Sequence, residues 1–295
     1  MNQIDNINKE LEPIRLKAKR NSTILIGLIV VDVLLMLSAI PTRLGTLGFI
    51  IPMFIVTFIA AIALRGPEKE YNTKAKYALS DYLFKPEFEN YTFDPEGQFD
   101  SSLSRELSLH PLGDTFTSND LITGTLQGIN FIRSDVTTTT TTTDSKGNST
   151  TVTNFGGQVF AFDFFKNTNS YVKISDNRSG MGGVRRKLGA KKITFEDSEF
   201  NSTFKIHSNS DHEAFYVFTP QFMRRLLDFH TQLQYPMNLI INNSTLYLSV
   251  YSNRDSFEPK IRKPMDEAFI NSVKQDINII HTIVEELDLK NTLFK

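Results

Sequence analysis

Two long apolar runs open the chain, and short alternating ones fill the rest. Thr23 to Ile40 holds one charge, Asp32, in 18 residues, and Leu44 to Leu64 holds none in 21. At about 1.5 Å of rise per residue, each suits a hydrocarbon core of about 30 Å. Only Pro41, Thr42 and Arg43 separate them, too short a connector to cross back over a bilayer, so the pattern predicts a transmembrane helical hairpin over 23–64. A buried soluble hairpin is the alternative. A cleaved signal peptide does not fit: the first run starts after 22 residues, has no small-residue cleavage site and is followed at once by the second.

Beyond Gly66-Pro67, Tyr71, Ala75, Ala78 and Tyr82 recur at steps of 4, 3 and 4, which predicts a juxtamembrane helix over 68–83. An aromatic, turn-rich connector follows at 86–97. From Leu121 the texture becomes β: 121–132, 158–165, 171–174, 193–195, 204–207, 214–218, 239–241 and 246–251 read as short strands. Phe160, Phe162 and Phe164 share one face, Leu246, Leu248 and Val250 share another, and Asn242-Asn243-Ser244 marks a hairpin turn. Thr219-Pro220 caps a helix carrying Phe222, Leu226, Phe229 and Leu233, which Pro236 ends. A last helix over 265–287 carries a stripe of Phe269, Val273, Ile277, Ile280, Val284 and Leu287. The expected architecture is a membrane-anchored α+β protein: a cytoplasmic N-terminus (1–22), the hairpin (23–64), a juxtamembrane helix and connector (65–118), and a mostly antiparallel β domain (119–295). That domain is a twisted sheet or half-open barrel with a helix after Thr219 and a long C-terminal helix.

Charge orients this picture. Arg15, Lys17, Lys19 and Arg20 precede the first run and Arg65, Lys69, Lys74 and Lys76 follow the second, against Arg43 alone between them. Basic residues at membrane ends stay in the cytoplasm, so the expectation is a multi-pass cell-membrane protein with both termini cytoplasmic. Its Asn-x-Ser/Thr tripeptides are then chance matches. A net charge of -1 from 32 basic and 33 acidic residues argues against a nucleic-acid partner. The absence of Cys excludes disulfides, thiolate metal sites and Cys nucleophiles.

Candidate chemistry is sparse. Asp32 in mid-span carries an insertion cost of about 2.5–3.5 kcal/mol; it reads either as a helix-association contact, with Thr57 or a second copy of the chain, or as a protonated group without a role. Arg185, Arg186, Lys187, Lys191 and Lys192 cluster after a glycine loop, Gly180 to Gly183. They read as a contact for anionic lipid head groups or an acidic partner, or as a solvated loop balanced by Glu196, Asp197 and Glu199. Thr137 to Thr143, with Thr150 to Thr153 beyond a Lys-Gly-Asn turn, reads as an exposed β-hairpin or as a low-complexity loop. Asp211-His212-Glu213 lacks a second His at ligand spacing and reads as a turn before a strand. The chain contains no esterase, zincin, Walker or EF-hand spacing, so no cofactor, metal or catalytic residue is expected.

The order of features resembles a widespread bacterial family of two-helix membrane proteins known only as a domain of unknown function. The residues carrying the resemblance are Asn119-Asp120 to Gly124, Phe155-Gly-Gly157, and Phe204 to Asp211 leading to Met223. Asp120, Gly124, Gly157 and Asp211 read as turn positions within it. The resemblance implies an integral membrane protein with a cytoplasmic domain and brings no activity. The expected function is therefore a non-enzymatic membrane-anchored binding or scaffold protein engaging a cytoplasmic protein or the anionic membrane surface, with homo-oligomerisation open. An enzyme with a site built from dispersed residues and a ligand-binding sensor are the alternatives. Because the chain has no Cys, topology is directly testable: in intact cells a membrane-impermeant maleimide is expected to label the Thr42→Cys variant and spare Ser145→Cys, and the reverse pattern would invert the orientation.

Overall fold

The structure, a computed structural model, describes residues 3–39, 47–164, 170–178, 189–254, 257–287 and 289. The chain divides into two compact units, Met1–Ser80 with Phe257–Asn271, and Asp81–Ser256 with Ser272–Lys295.

In the first unit, α1 (Gln3–Ala39) and α2 (Leu47–Leu64) pack along each other, and α3 (Gly66–Leu83) begins two residues after α2 ends. The face that α1 buries follows a single stripe, Ile4, Leu11, Arg15, Ala18, Asn21 and Asp32, with Leu25 and Leu28 half-buried between the last two. Its other faces from Ile24 to Leu37 expose large aliphatic side chains, as do Phe54 to Ile62 on α2. α1 is long and apolar enough to cross a membrane by length and composition. The connector 41–43 lies outside the described residues. The segment 257–265 folds back onto this unit, where Asn8 Nδ2 donates to the Met265 carbonyl at 2.8 Å and Met265 N to Asn8 Oδ1 at 3.0 Å. On α3 the buried side chains are Tyr71, Ala75, Lys76, Leu79, Ser80 and Leu83, so the apolar stripe runs on through Leu79 and Leu83 rather than Ala78 and Tyr82.

The second unit is built on one nine-stranded antiparallel sheet in the order β1-β2-β3-β4-β9-β8-β5-β7-β6. Its strands are β1 (Glu89–Asp94), β2 (Thr115–Leu126), β3 (Ile129–Thr143), β4 (Ser149–Asp163), β5 (Tyr171–Asp176), β6 (Lys191–Ile193), β7 (Phe204–Ser208), β8 (Met237–Asn242) and β9 (Thr245–Val250). β1 and β6 are its two edges, so the sheet is open. The threonine tract is a hairpin arm in register, Thr139 opposite Thr153 and Thr143 opposite Ser149. Three expectations change. The run 121–132 is broken by a tight turn at Gln127 and Gly128, both at positive φ, the geometry that two-residue hairpins require. Residues 214–217 belong to helix α6 (Asp211–Val217), which follows the short α5 (Ser198–Thr203), and Phe218 is its C-cap, because the Ser210 side chain caps the Glu213 amide and diverts the chain from a strand. Finally, 86–97 is not merely a connector but contains β1, which pairs with β2.

Each sheet face has its own cover. One carries Val136, Phe155, Val159, Ala161, Tyr171, Ile240 and Tyr247, packed with Phe99, Leu107 and Leu109 from α4 (Ser101–Leu107) and its flanks. The other meets α7 (Pro220–Leu233) and α8 (Glu267–Glu286): Phe222 on α7 touches Phe164, and His230 touches Phe204. α7 starts where the Thr219-Pro220 pair predicts, with Thr219 Oγ1 accepting from Phe222 N at 3.3 Å. Here the cross-strand register lines up one row through eight strands: Ile122, Arg133, Phe160, Leu248, Leu239, Ile174, Ile206 and Ile193, all buried. Arg133 is the charged member. Its Nη1 and Nη2 fork onto the two oxygens of Asp135 at 2.7 and 2.9 Å, and Nη2 also reaches Asp276 of α8 at 2.8 Å.

The fork follows from strand geometry, since residues two apart share a face. Burial alone would push the guanidinium pKa down, but Asp135, Asp276 and Asp120 hold it above its ordinary value. Removing one partner of a buried pair costs about 3–5 kcal/mol, whereas apolar replacement of the whole group is near neutral. Asp276→Ala is therefore expected to lower unfolding stability by about that amount, and Arg133→Met with Asp135→Leu and Asp276→Leu to recover most of it. Denaturant titration of the three proteins checks this; an unaffected Asp276→Ala variant would refute it.

Candidate functional site

The sheet face under α4 holds a cleft in which an apolar floor meets several polar side chains, and a strap of backbone builds its wall. After α4, Ser108 turns into the left-handed region (φ 53) and closes the helix. The chain then crosses the strands as 107–112, and side chains from the sheet capture its carbonyls. Tyr171 Oη donates to Leu107 at 3.0 Å, Lys173 Nζ to Ser108 at 2.5 Å, Ser249 Oγ to Leu109 at 2.7 Å, Thr138 Oγ1 to Pro111 at 2.8 Å and Asn154 Nδ2 to Leu112 at 2.7 Å. A coil segment laid on an apolar face must find such partners or lose its solvation. Held this way, α4 stands beside the sheet with its N-terminal turn over β2, β3, β4 and β9.

The cleft there has a volume of about 460 Å³, within the range of small-ligand and side-chain pockets. Phe99, Leu103, Ile132, Ala161 and Tyr247 supply apolar surface, and Gln98, Asp100, Asn130, Asp163 and Thr245 supply polar groups; among the described residues no Lys or Arg lines it. Ile132 is 40% exposed, a large aliphatic side chain in solvent on a sheet face. Asp100 caps α4, accepting from the Ser102 amide at 2.8 Å and its hydroxyl at 2.7 Å, and those hydrogen bonds hold its carboxyl below the ordinary range. Asp163 accepts from Asn130 Nδ2 at 2.8 Å. Burial raises the Tyr247 phenol, and the nearby Glu106 carboxylate adds to the effect. The lining thus offers apolar contact and negative charge together.

Other titratable groups serve the fold. His110 is fully buried, stacked on Phe155 with ring centres 4.7 Å apart, its Nε2 2.6 Å from Ser104 Oγ and its Nδ1 3.0 Å from the Pro111 carbonyl oxygen. A Ser–His contact suggests a nucleophile and its base, but both residues have no solvent exposure, so no substrate reaches them. Burial pushes the His110 pKa down to about 4 and that of Lys173 down to about 7. Asp176 holds His230 Nε2 at 2.9 Å and Arg178 Nη2 at 2.9 Å; burial raises its carboxyl, and these hydrogen bonds more than reverse that, leaving it lowered. Among the described residues no three His, Asp or Glu side chains are grouped as metal ligands.

Of the residues singled out by sequence, Arg185, Arg186 and Lys187 lie outside the described residues, while Lys191 and Lys192 are exposed on the edge strand β6. Asp32 and Thr57 are both buried, on the facing stripes of α1 and α2. Asn21 Nδ2 donates to the Leu64 carbonyl at 3.3 Å; counting along two antiparallel helices from that pair sets Thr57 level with Leu28 and Asp32 about one turn beyond. The four residues read as turn positions are mostly something else. Asp120 sits at positive φ in a β-bulge, its side chain fully buried. Gly124 and Gly157 lie inside strands, where an added Cβ would come within 3.0 Å of the Phe131 ring and 1.9 Å of the Val250 carbonyl oxygen. Asp211 opens α6, so Asp211-His212-Glu213 forms a helical first turn. Reasoning from sequence missed Arg133, Asp135 and Asp276, although a charge two residues from Phe131 and an Asp inside the last helix's apolar stripe were visible signals.

Residues 153–289 match a family described as "Protein of unknown function (DUF3137)". This stretch is a domain of unknown function. It runs from within β4 through α8 and leaves out α1 to α4 and β1 to β3, and with them half of the cleft. None of the curated proteins matches the chain. Among solved structures, the crystal structure of the mycobacterial trehalose monomycolate transport factor A, TtfA, is similar at 11% identity and a TM-score of 0.40, over 74% of this chain and 94% of that one. So distant a likeness carries no argument about function.

The two depressed cations set a pH dependence. Both have folded pKa values below their unfolded ones, so each contributes stability above its unfolded pKa that is lost as pH falls through its folded pKa. For Lys173 the window runs from about 10.4 down to about 7, and for His110 from about 6.5 down to about 4. Thermal melts of the Lys173→Met variant are expected to lose most of the rise in stability between pH 7 and pH 10, with the acid limb unchanged. An undiminished rise would show that Lys173 is not its source.

Proposed function

We propose that the chain is a membrane-anchored binding protein. In this reading α1 and α2 form a transmembrane hairpin with both termini in the cytoplasm, and the sheet unit receives a partner segment in the cleft beside α4. The observation that carries it is the lining itself: apolar surface with Asp100 and Asp163 and, among the described residues, no basic side chain. Such a lining favours an aliphatic side chain next to a Lys or Arg. The exposed aliphatic surface of α1 and α2 supports the anchor, since a continuous patch of that size is costly in water and costs nothing in lipid. Asp32 and Thr57, buried on the facing stripes, suit helix association within that hairpin. The burial of His110, Lys173 and Arg133 within the fold favours binding over catalysis.

The test uses the full chain in phosphatidylcholine nanodiscs, titrated with dansyl-labelled hexapeptides of alternating Leu and Lys or of alternating Leu and Glu. The Leu-Lys peptide is expected to bind and the Leu-Glu peptide not to. Asp163→Asn should weaken the former by up to about fivefold, because an exposed ion pair contributes roughly 0.2–1 kcal/mol, and Ile132→Glu should weaken it through the floor. Equal binding of both peptides, or none of either, would sink the cleft as a binding site.

A further inference from the structure

We infer that the loop 257–265 completes a basic collar around the membrane end of the first unit, and that this collar binds the head groups of anionic phospholipids. The inference rests on the membrane-anchor reading and adds a site and a ligand to it.

The level of the membrane boundary is set by one contact. Asn21 Nδ2 donates to the Leu64 carbonyl, so the point where α1 becomes apolar and the point where α2 ends lie side by side. Lys19 and Arg20 on α1 and Arg65 just after α2 flank that contact, and all three are exposed. Three contacts then hold the loop to the helices, and the two on α1 set its height. Glu258 Oε1 accepts from Lys76 Nζ at 2.5 Å, the Ile261 carbonyl accepts from Arg15 Nη1 at 3.4 Å, and Met265 exchanges two hydrogen bonds with Asn8. On α1, Arg15 is six residues below Asn21, about 9 Å at the helical rise, and Asn8 is thirteen below, about 20 Å; Lys76 stands on α3, past the break at Arg65. The loop therefore rises along α1 from Met265 to an apex at Ile261, toward the membrane end, while Glu258 ties its other limb to α3.

At that apex stand Lys260, Ile261, Arg262 and Lys263. Ile261 is buried against the unit, while the three cations are exposed. Lys263 also pairs with Asp266 at 2.6 Å, which steers it without burying it. An apex about 9 Å from the boundary lies within about one Debye length of a charged leaflet, and long basic side chains extend toward head groups while their stems stay packed. The sequence hides this arrangement, because nearly two hundred residues separate Arg65 from Lys260. The collar also differs from the cluster at 185–192, which lies in the other unit.

Full-length protein in vesicles, with spin-labelled phosphatidylglycerol and spin-labelled phosphatidylcholine as the two probes, tests the collar. The protein is expected to hold phosphatidylglycerol preferentially at low salt and to lose the preference in 1 M NaCl, where the Debye length is about 3 Å. The Lys260→Ser, Arg262→Ser, Lys263→Ser triple variant should lose most of that preference, since each surface cation contributes up to roughly fivefold. Lys260→Arg with Lys263→Arg should keep it, which separates charge from folding. An unchanged preference in the triple variant overturns the collar, as does a loss confined to Arg185→Ser, Arg186→Ser, Lys187→Ser. Protein that does not float with phosphatidylcholine vesicles overturns the anchor and the collar together; flotation without preference overturns the collar alone.

Discussion

Burying one guanidinium in the middle of an apolar row is the constraint around which the sheet unit is organised. Transferring an isolated charge into a protein interior costs several kcal/mol even after relaxation, and Arg133 sits with no exposure between Ile122 and Phe160. The chain meets the cost from three directions at once. Asp135, two residues along the same strand, supplies a fork; Asp276 supplies a carboxylate from α8; and the β-bulge at Asp120 turns a backbone carbonyl to 3.5 Å. Each is a requirement on a different part of the fold. The fork needs the strand's period of two, Asp276 needs α8 in one rotational setting, and the bulge needs a left-handed residue in β2. An apolar row would hold the helix as strongly but would tolerate sliding; a buried charge permits one register.

The opposite sheet face solves the converse problem, with backbone rather than a charge in need of partners. The strap 107–112 has no strand to pair with, so Tyr171, Lys173, Ser249, Thr138 and Asn154 act as a ladder of side-chain donors. These donors come from β5, β9, β3 and β4, which explains polar residues at inward-facing positions where alternation alone calls for apolar ones. The desolvation of Lys173 and His110 is a consequence of roofing the sheet in this way. The cleft exists because α4, which the strap holds, is only seven residues long and leaves the sheet uncovered beyond its first turn.

Legibility in the sequence followed the range of the interaction. Local signals were readable: the two apolar runs, the Thr219-Pro220 cap, the Asn243-Ser244 hairpin and the last helix's stripe each depend on residues within about two turns of one another. The Ser210 cap was equally local, yet β-branched and aromatic residues at 214–218 outweighed it on propensity, and the helix won. The Gln127-Gly128 turn was missed because Leu121 to Ile132 is apolar enough to pass for one strand. Gly124 and Gly157 were read as turns from residue type alone, whereas the need for glycine there arises from Phe131 and Val250 on neighbouring strands. The cleft was not legible at all. Its wall comes from α4, its floor from β3, β4 and β9, and its acidity from Asp100 and Asp163, which look like an ordinary cap and an ordinary strand end until the sheet closes.

Net charge shows the same limit in reverse. A total of -1 describes neither unit, because the acidic and basic residues sort by place. Carboxylates line the cleft with no Lys or Arg among its described residues, other carboxylates surround Arg133, and exposed cations gather where α1 enters and α2 leaves its apolar stretch. Position turns nearly equal numbers of opposite charges into distinct jobs. A carboxylate beside Arg133 is neutralised by geometry and is silent to salt, because a buried pair is screened little. One on the rim of the cleft keeps its field in solvent, attracts a cationic group from a distance and weakens as ionic strength rises. Salt dependence therefore separates the charges that specify the fold from those available to a partner.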